Sequence, residues 1–146
     1  MRENSMAGAL DEFSQAVSNL TGGQTKEAVI NAHKSVESVM KTALGVVEHK
    51  KFGELLRLLI DSGLLPEYYE EFLANFEKLA LGAVKERNLP ARGHGQGAEP
   101  TPVPKPLAEF AVHLAGAVNL FIIQRWIGAR PKAEEEPPTP EDGVPF

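Results

Sequence analysis

The chain contains no cysteine in its 146 residues. Neither a disulfide framework nor a thiolate metal site can therefore be built from it, and the absence fits a reducing compartment. No uninterrupted apolar run approaches the roughly 18 residues of a membrane span. The start, Met1-Arg2-Glu3-Asn4, lacks the apolar core of a signal peptide. The expected location is cytoplasmic, with no membrane association. No segment sustains period-two alternation of apolar and polar residues, which argues against amphipathic strands, and no internal repeat is present.

What the chain does have is an ordinary apolar fraction of 42% and enough length for one domain with one core. Its net charge of −5 is unevenly spread. Glu134, Glu135, Glu136, Glu141 and Asp142 face only Lys132 in the last stretch, so the preceding body is close to neutral. Such a balance argues against a general nucleic-acid coat protein and leaves room for a local phosphate site. Residues 131–146, acidic and rich in Pro, bury too little apolar surface to offset ordering entropy and are expected to be a disordered tail behind a helical domain of residues 1–130.

Helical periodicity runs through that domain. Leu10, Phe13, Val17 and Leu20 recur at three and four residues and are expected to share an inward face, with Gly22-Gly23 ending the helix. Thr25 is a candidate N-cap for a helix whose stripe is Val29, Ala32, Val36, Val39, Met40, Ala43 and Leu44, with Gly45 near its end. A shorter segment runs from Phe52 to Ile60 and breaks at Ser62-Gly63. Pro66 suits the first turn of a further helix through Tyr69, Phe72, Leu73, Phe76, Leu79, Ala80, Ala83 and Val84. Residues 88–105 hold too many Gly and Pro for regular structure. The last helix is expected from about Pro106 to Ile127, with Leu107, Phe110, Ala111, Leu114, Ala117, Phe121 and Trp126 available for burial. The fold expected is all-α, a bundle of four long helices plus a short one.

One segment stands apart from this scaffold. Arg87-Asn88-Leu89-Pro90-Ala91-Arg92-Gly93-His94-Gly95-Gln96-Gly97 gathers two cations, an amide and an imidazole in a Gly/Pro-rich loop. A guanidinium beside a titratable imidazole can bind a phosphate, move a proton, or both. Each residue also has a plainer reading. Arg87 suits a helix C-terminus through the dipole alone, and His94 beside glycine suits a solvated loop. Arg92 reads as a solvated or RNA-contacting side chain. Glu37 lies at helical spacing from His33, Lys34 and Lys41, where an ordinary ion pair is expected. His33, His49 and His113 read as structural, and Tyr68 and Tyr69 as packing residues rather than base-stacking ones.

Three segments together resemble the HEPN superfamily, and within it the abortive-infection C-terminal domain. The helix Ala32-His33-Lys34-Ser35-Val36-Glu37-Ser38-Val39-Met40-Lys41 looks like that family's early helix, with an inward Glu and a following Lys. Gly63-Leu64-Leu65-Pro66 looks like the linker before its penultimate helix. Arg87-Asn88 through His94-Gly95 looks like the superfamily's Arg, polar residue, spacer and His pattern, here with a six-residue spacer that includes Pro90. The resemblance covers roughly residues 25–127. It implies a two-fold helical dimer and, in many members, metal-independent RNA cleavage in toxin–antitoxin and phage-defence systems. Other members only bind nucleotides or proteins.

On the matching positions the resemblance implies that Arg87 and His94 are catalytic, with Asn88 supporting them. Arg92, Gly93 and Gly95 would serve the same loop, and Glu37 would face the site and hold Arg87. No cofactor and no metal ligand are expected in the loop, which offers no carboxylate cluster. The partners implied are RNA or a nucleotide phosphate, a second copy of the chain, and an antitoxin or defence-system protein. RNA carries its own nucleophile, the 2′-OH, so cleavage needs a base, an acid and positive charge on the phosphorane. His94 suits either proton role and Arg87 can fork two donors onto phosphate oxygens. One loop imidazole per chain fills one of the two proton roles, so a dimer that joins two loops would be part of the mechanism.

Overall fold

The computed structural model describes residues 6–88 and 103–129, all of them helix, turn or short connection. The chain is all-α: α1 (Ala7–Thr21), α2 (Thr25–Leu44), α3 (Phe52–Asp61), a 3-10 turn (Glu67–Tyr69), α4 (Glu70–Asn88) and α5 (Lys105–Ala129). Four long helices and one short one thus match the architecture read from periodicity. The expected tail, 131–146, lies outside the described residues.

The centre of the bundle is α2, which packs on each of the other four helices. Its buried stripe includes Val29, Ala32, Val36, Val39 and Met40, as the spacing predicts. It ends at Gly45, where φ of +67° caps the helix in a left-handed turn that L side chains rarely adopt. Gln24 rather than Thr25 holds the N-cap position, and Thr25 is the first helical residue and buried. The turn between α1 and α2 is tied by side-chain amides: Asn19 donates to Gln24 at 2.8 Å and Asn31 donates to Asn19 at 2.8 Å. Further along, Ser38 donates to Glu12 at 2.8 Å. These pairs fix α1 and α2 as antiparallel.

Two burial expectations are corrected. Leu10 and Val17 of α1 are 57% and 44% exposed, and the face turned to the core is Ala9 and Ala16. Small residues let two helices approach more closely than leucines would, so the alanines hold the contact and the larger residues stand outside it. On α5, Phe110 and Ala117 are exposed, whereas Ala108, Ala111, Val112, Ala115, Val118, Asn119 and Ile122 are buried. Gly116 of α5 gives room to the Phe13 ring, whose Cζ would lie 3.0 Å from a Cβ at that position.

Around Gly63-Leu64-Leu65-Pro66 the chain turns tightly. Gly63 has a φ of +80°, and Pro66 precedes the 3-10 turn instead of opening α4 directly. Arg125 of α5 reaches back to donate to the carbonyls of Leu64 and Gly63 at 3.0 and 3.3 Å. This linker is thereby clamped between the start of α4 and the end of α5.

With a mean hydropathy of 1.6 over 18 residues, α5 is long and apolar enough by length and composition to cross a membrane. Glu109, His113, Asn119 and Arg125 interrupt it, which is why no unbroken apolar run marks it in the sequence. In this fold it is a core helix lying against α2. Asn119 donates to Ser35 of α2 at 3.0 Å, and Ser35 donates to the Ala32 carbonyl at 2.7 Å, all within the core.

Candidate functional site

Helix α4 extends past Val84 to Asn88, so Arg87 and Asn88 belong to its last turn rather than to the loop. The described part of α4 ends at Asn88. A cation at a helix C-terminus is favoured by the dipole whatever else it does. Arg92, Gly93, His94 and Gly95 lie outside the described residues, as do the side chains of Arg87 and Asn88.

The anchorage of the loop is described at both ends. It leaves from α4 and returns at Val103, which is buried in a small cluster with Val29 of α2, Ala80 of α4, and Ala108 and Ala111 of α5. The cluster places the N-terminal parts of α2 and α5 beside the middle of α4, with α2 and α4 antiparallel. Two long helices, of 20 and 25 residues, therefore begin at the end of the bundle where α4 finishes. Their unpaired N–H groups and positive dipole ends lie at that end.

Glu37 meets His33, one of the partners its helical spacing offers. It sits one turn from His33 on α2, with Oε1 3.7 Å from Nδ1 of the imidazole. The other ring nitrogen, Nε2, lies 3.6 Å from Oε2 of Glu77 on α4. Phe52 of α3 stacks on the ring with centroids 5.3 Å apart and fixes its plane. The pairs Val29 with Ala80 and His33 with Glu77 show that α2 and α4 run antiparallel. Arg87 comes ten residues after Glu77, about 15 Å further along α4 and toward the start of α2. The register thus places Glu37 with His33 and Glu77.

Of the remaining residues singled out in the sequence, Tyr69 packs on Phe121 with centroids 5.0 Å apart. Tyr68 is exposed and lies against Tyr69. His49 and His113 are exposed. The grouping of His33 and Glu37 with Glu77 was missed from the sequence. Only its first half, a His and a Glu four apart, is a local signal; Glu77 joins through the α2–α4 contact.

Residues 7–126 match the family Abi_C, described as a HEPN-like domain. The chain belongs to this family. The match covers α1 through nearly all of α5, and so includes the Arg87–His94 segment. No curated protein and no solved structure matches the chain significantly. In chain order, Arg87 and Asn88 are the last described residues of α4, and His94 follows them before α5.

Proposed function

We propose that this HEPN-like domain is an endoribonuclease of the toxin–antitoxin or phage-defence type, cleaving RNA without a catalytic metal at a site completed by a second copy of the chain. One observation carries the reading: Arg87-Asn88 and His94-Gly95 stand in the HEPN order in a chain of that family, with Arg87 on the last turn of α4. The gathering of two helix N-termini at the same end of the bundle supports it, because a phosphate gains there from backbone N–H groups and the dipole despite the chain's net negative charge.

The chemistry follows from RNA's own nucleophile. One imidazole takes the proton of the 2′-OH, whose oxygen attacks the adjacent phosphorus. The bond from phosphorus to the 5′-oxygen breaks, and a second imidazole protonates the leaving oxygen. The products are a 2′,3′-cyclic phosphate and a 5′-hydroxyl. The Arg87 guanidinium stabilises the charge that builds on the phosphorane oxygens, while Asn88 orients it. Gly93 and Gly95 let the backbone approach the ligand, and Arg92 contacts the RNA strand. Because each chain supplies one loop histidine, the second comes from the second copy.

The test is RNA cleavage by purified protein in excess EDTA beside a His94→Ala control. Cleavage of RNA but not DNA, with a cyclic phosphate product and loss of activity in the control, is expected. Cleavage that EDTA abolishes, or equal cleavage of DNA, would overturn the mechanism. The net charge of −5 favours one second reading, a non-catalytic dimeric module that binds nucleotide, RNA or a protein partner. RNA retained on the protein but left uncut is the outcome that selects it.

A further inference from the structure

Away from the motif loop, α2, α3 and α4 close over one imidazole that the RNA chemistry does not use. His33 is 8% exposed, and its Nε2 is buried without a hydrogen-bond partner. Buried ring nitrogens are ordinarily paired, so an orphan of this kind needs a reason. Glu37 and Glu77 flank the ring at 3.7 and 3.6 Å, beyond hydrogen-bond reach. One ligand atom from each of the three residues lies within 4.8 Å of the others. One carboxylate thus faces each ring nitrogen, with Glu77 on the side of the orphaned Nε2.

We propose that His33, Glu37 and Glu77 bind a divalent first-row transition-metal cation between α2 and α4. Ligand atoms about 2.1 Å from such a cation lie about 3.0 to 3.4 Å from their neighbours. Glu77 Oε2 already lies 3.6 Å from the orphaned Nε2, and with the three ligand atoms within 4.8 Å of one another Glu37 must swing from the Nδ1 side to close the set. Both glutamates are partly exposed, at 27% and 29%, and can make that adjustment, whereas His33 is fixed by its burial and by the stacked Phe52. One imidazole nitrogen with two carboxylates suits zinc, manganese or iron better than magnesium or calcium, which prefer oxygen alone. Water completes the coordination on the open side, where the glutamates meet solvent.

The cation neutralises two facing carboxylates and occupies the orphaned nitrogen. It also joins α2 to α4, the helix that carries Arg87. The site lies about 15 Å along α4 from Arg87, so it serves the bundle and not the phosphate chemistry. It stands independently of the RNA-cleaving reading, because its test measures metal binding and stability and needs no RNA.

Metal-free protein is titrated with Zn²⁺ and with Co²⁺, following heat of binding, thermal unfolding and the visible cobalt spectrum. One ion per chain is expected, with Tm raised by about 5 to 10 °C at roughly a hundredfold excess over Kd. Glu37→Gln and Glu77→Gln, at partly exposed positions outside the apolar core, should each weaken binding at least about tenfold while the metal-free protein stays folded. His33→Gln should abolish the cobalt bands. The absence of a Zn²⁺-dependent Tm shift in the wild type would overturn the proposal. So would a shift that persists in the Glu37→Gln/Glu77→Gln double variant, which would place the ion elsewhere.

Discussion

Ser35→Ala is a small substitution from which the structure predicts a large effect. Ser35 is fully buried on α2 and accepts the Asn119 amide of α5 at 3.0 Å. The Oδ1 of the same Asn119 already lacks a partner. Removing the Ser35 hydroxyl would strand the whole amide in the core. Leaving a buried polar group unpaired costs about 1 to 3 kcal/mol. Alanine fills nearly the same volume, so little of that cost comes from a cavity. For a helical domain of this size the loss corresponds to a Tm lowered by about 5 to 10 °C.

The cycle with Asn119→Leu isolates the cause. Leucine is close to asparagine in shape and carries no polar atom, so Ser35→Ala/Asn119→Leu should recover most of the lost stability and could exceed the wild type. Urea unfolding followed by circular dichroism gives all the free energies on one scale. A Ser35→Ala variant within about 0.5 kcal/mol of wild type would refute the reasoning, as would a double variant less stable than Ser35→Ala alone. The pair matters for the site because it lies between α2 and α5, whose first turns share the motif's end of the bundle.

The remaining predictions concern the proposed site and the ends of the chain. Arg87→Lys should cut RNA poorly while folding normally, because an ammonium cannot reproduce the two-donor fork; wild-type rates in this variant would remove Arg87 from the chemistry. Sedimentation should give a dimer, and mixing His94→Ala with Arg87→Ala chains should restore some activity if each site draws residues from both copies; a monomer that cuts RNA would eliminate the shared site. Deleting residues 131–146 should leave Tm nearly unchanged, since their composition offers little to bury; a large drop would show that they dock on the bundle.

Much of this architecture is written in local spacing. The stripe from Val29 to Met40, the break at Gly45, the short helix from Phe52 to Ile60 and the Gly63-to-Pro66 turn follow from periods and backbone preferences that a chain carries before it folds. So does the order Arg87, Asn88, His94, Gly95, which resembles the family's pattern in the sequence alone. Sequence periodicity does not say which neighbour a face will meet. Leu10 and Val17 match a buried stripe as well as Ala9 and Ala16 do, and only the close approach of α1 to α2 selects the alanines.

The same limit governs Glu37. Its spacing from His33 is local and legible. Its distance from Arg87 depends on how far α2 and α4 slide past each other, and that register is set by packing such as Val29 against Ala80. Long-range register is a property of two surfaces fitted together, so the sequence determined the helices and the motif, while the tertiary structure alone decided that Glu37 and Glu77 should meet across His33.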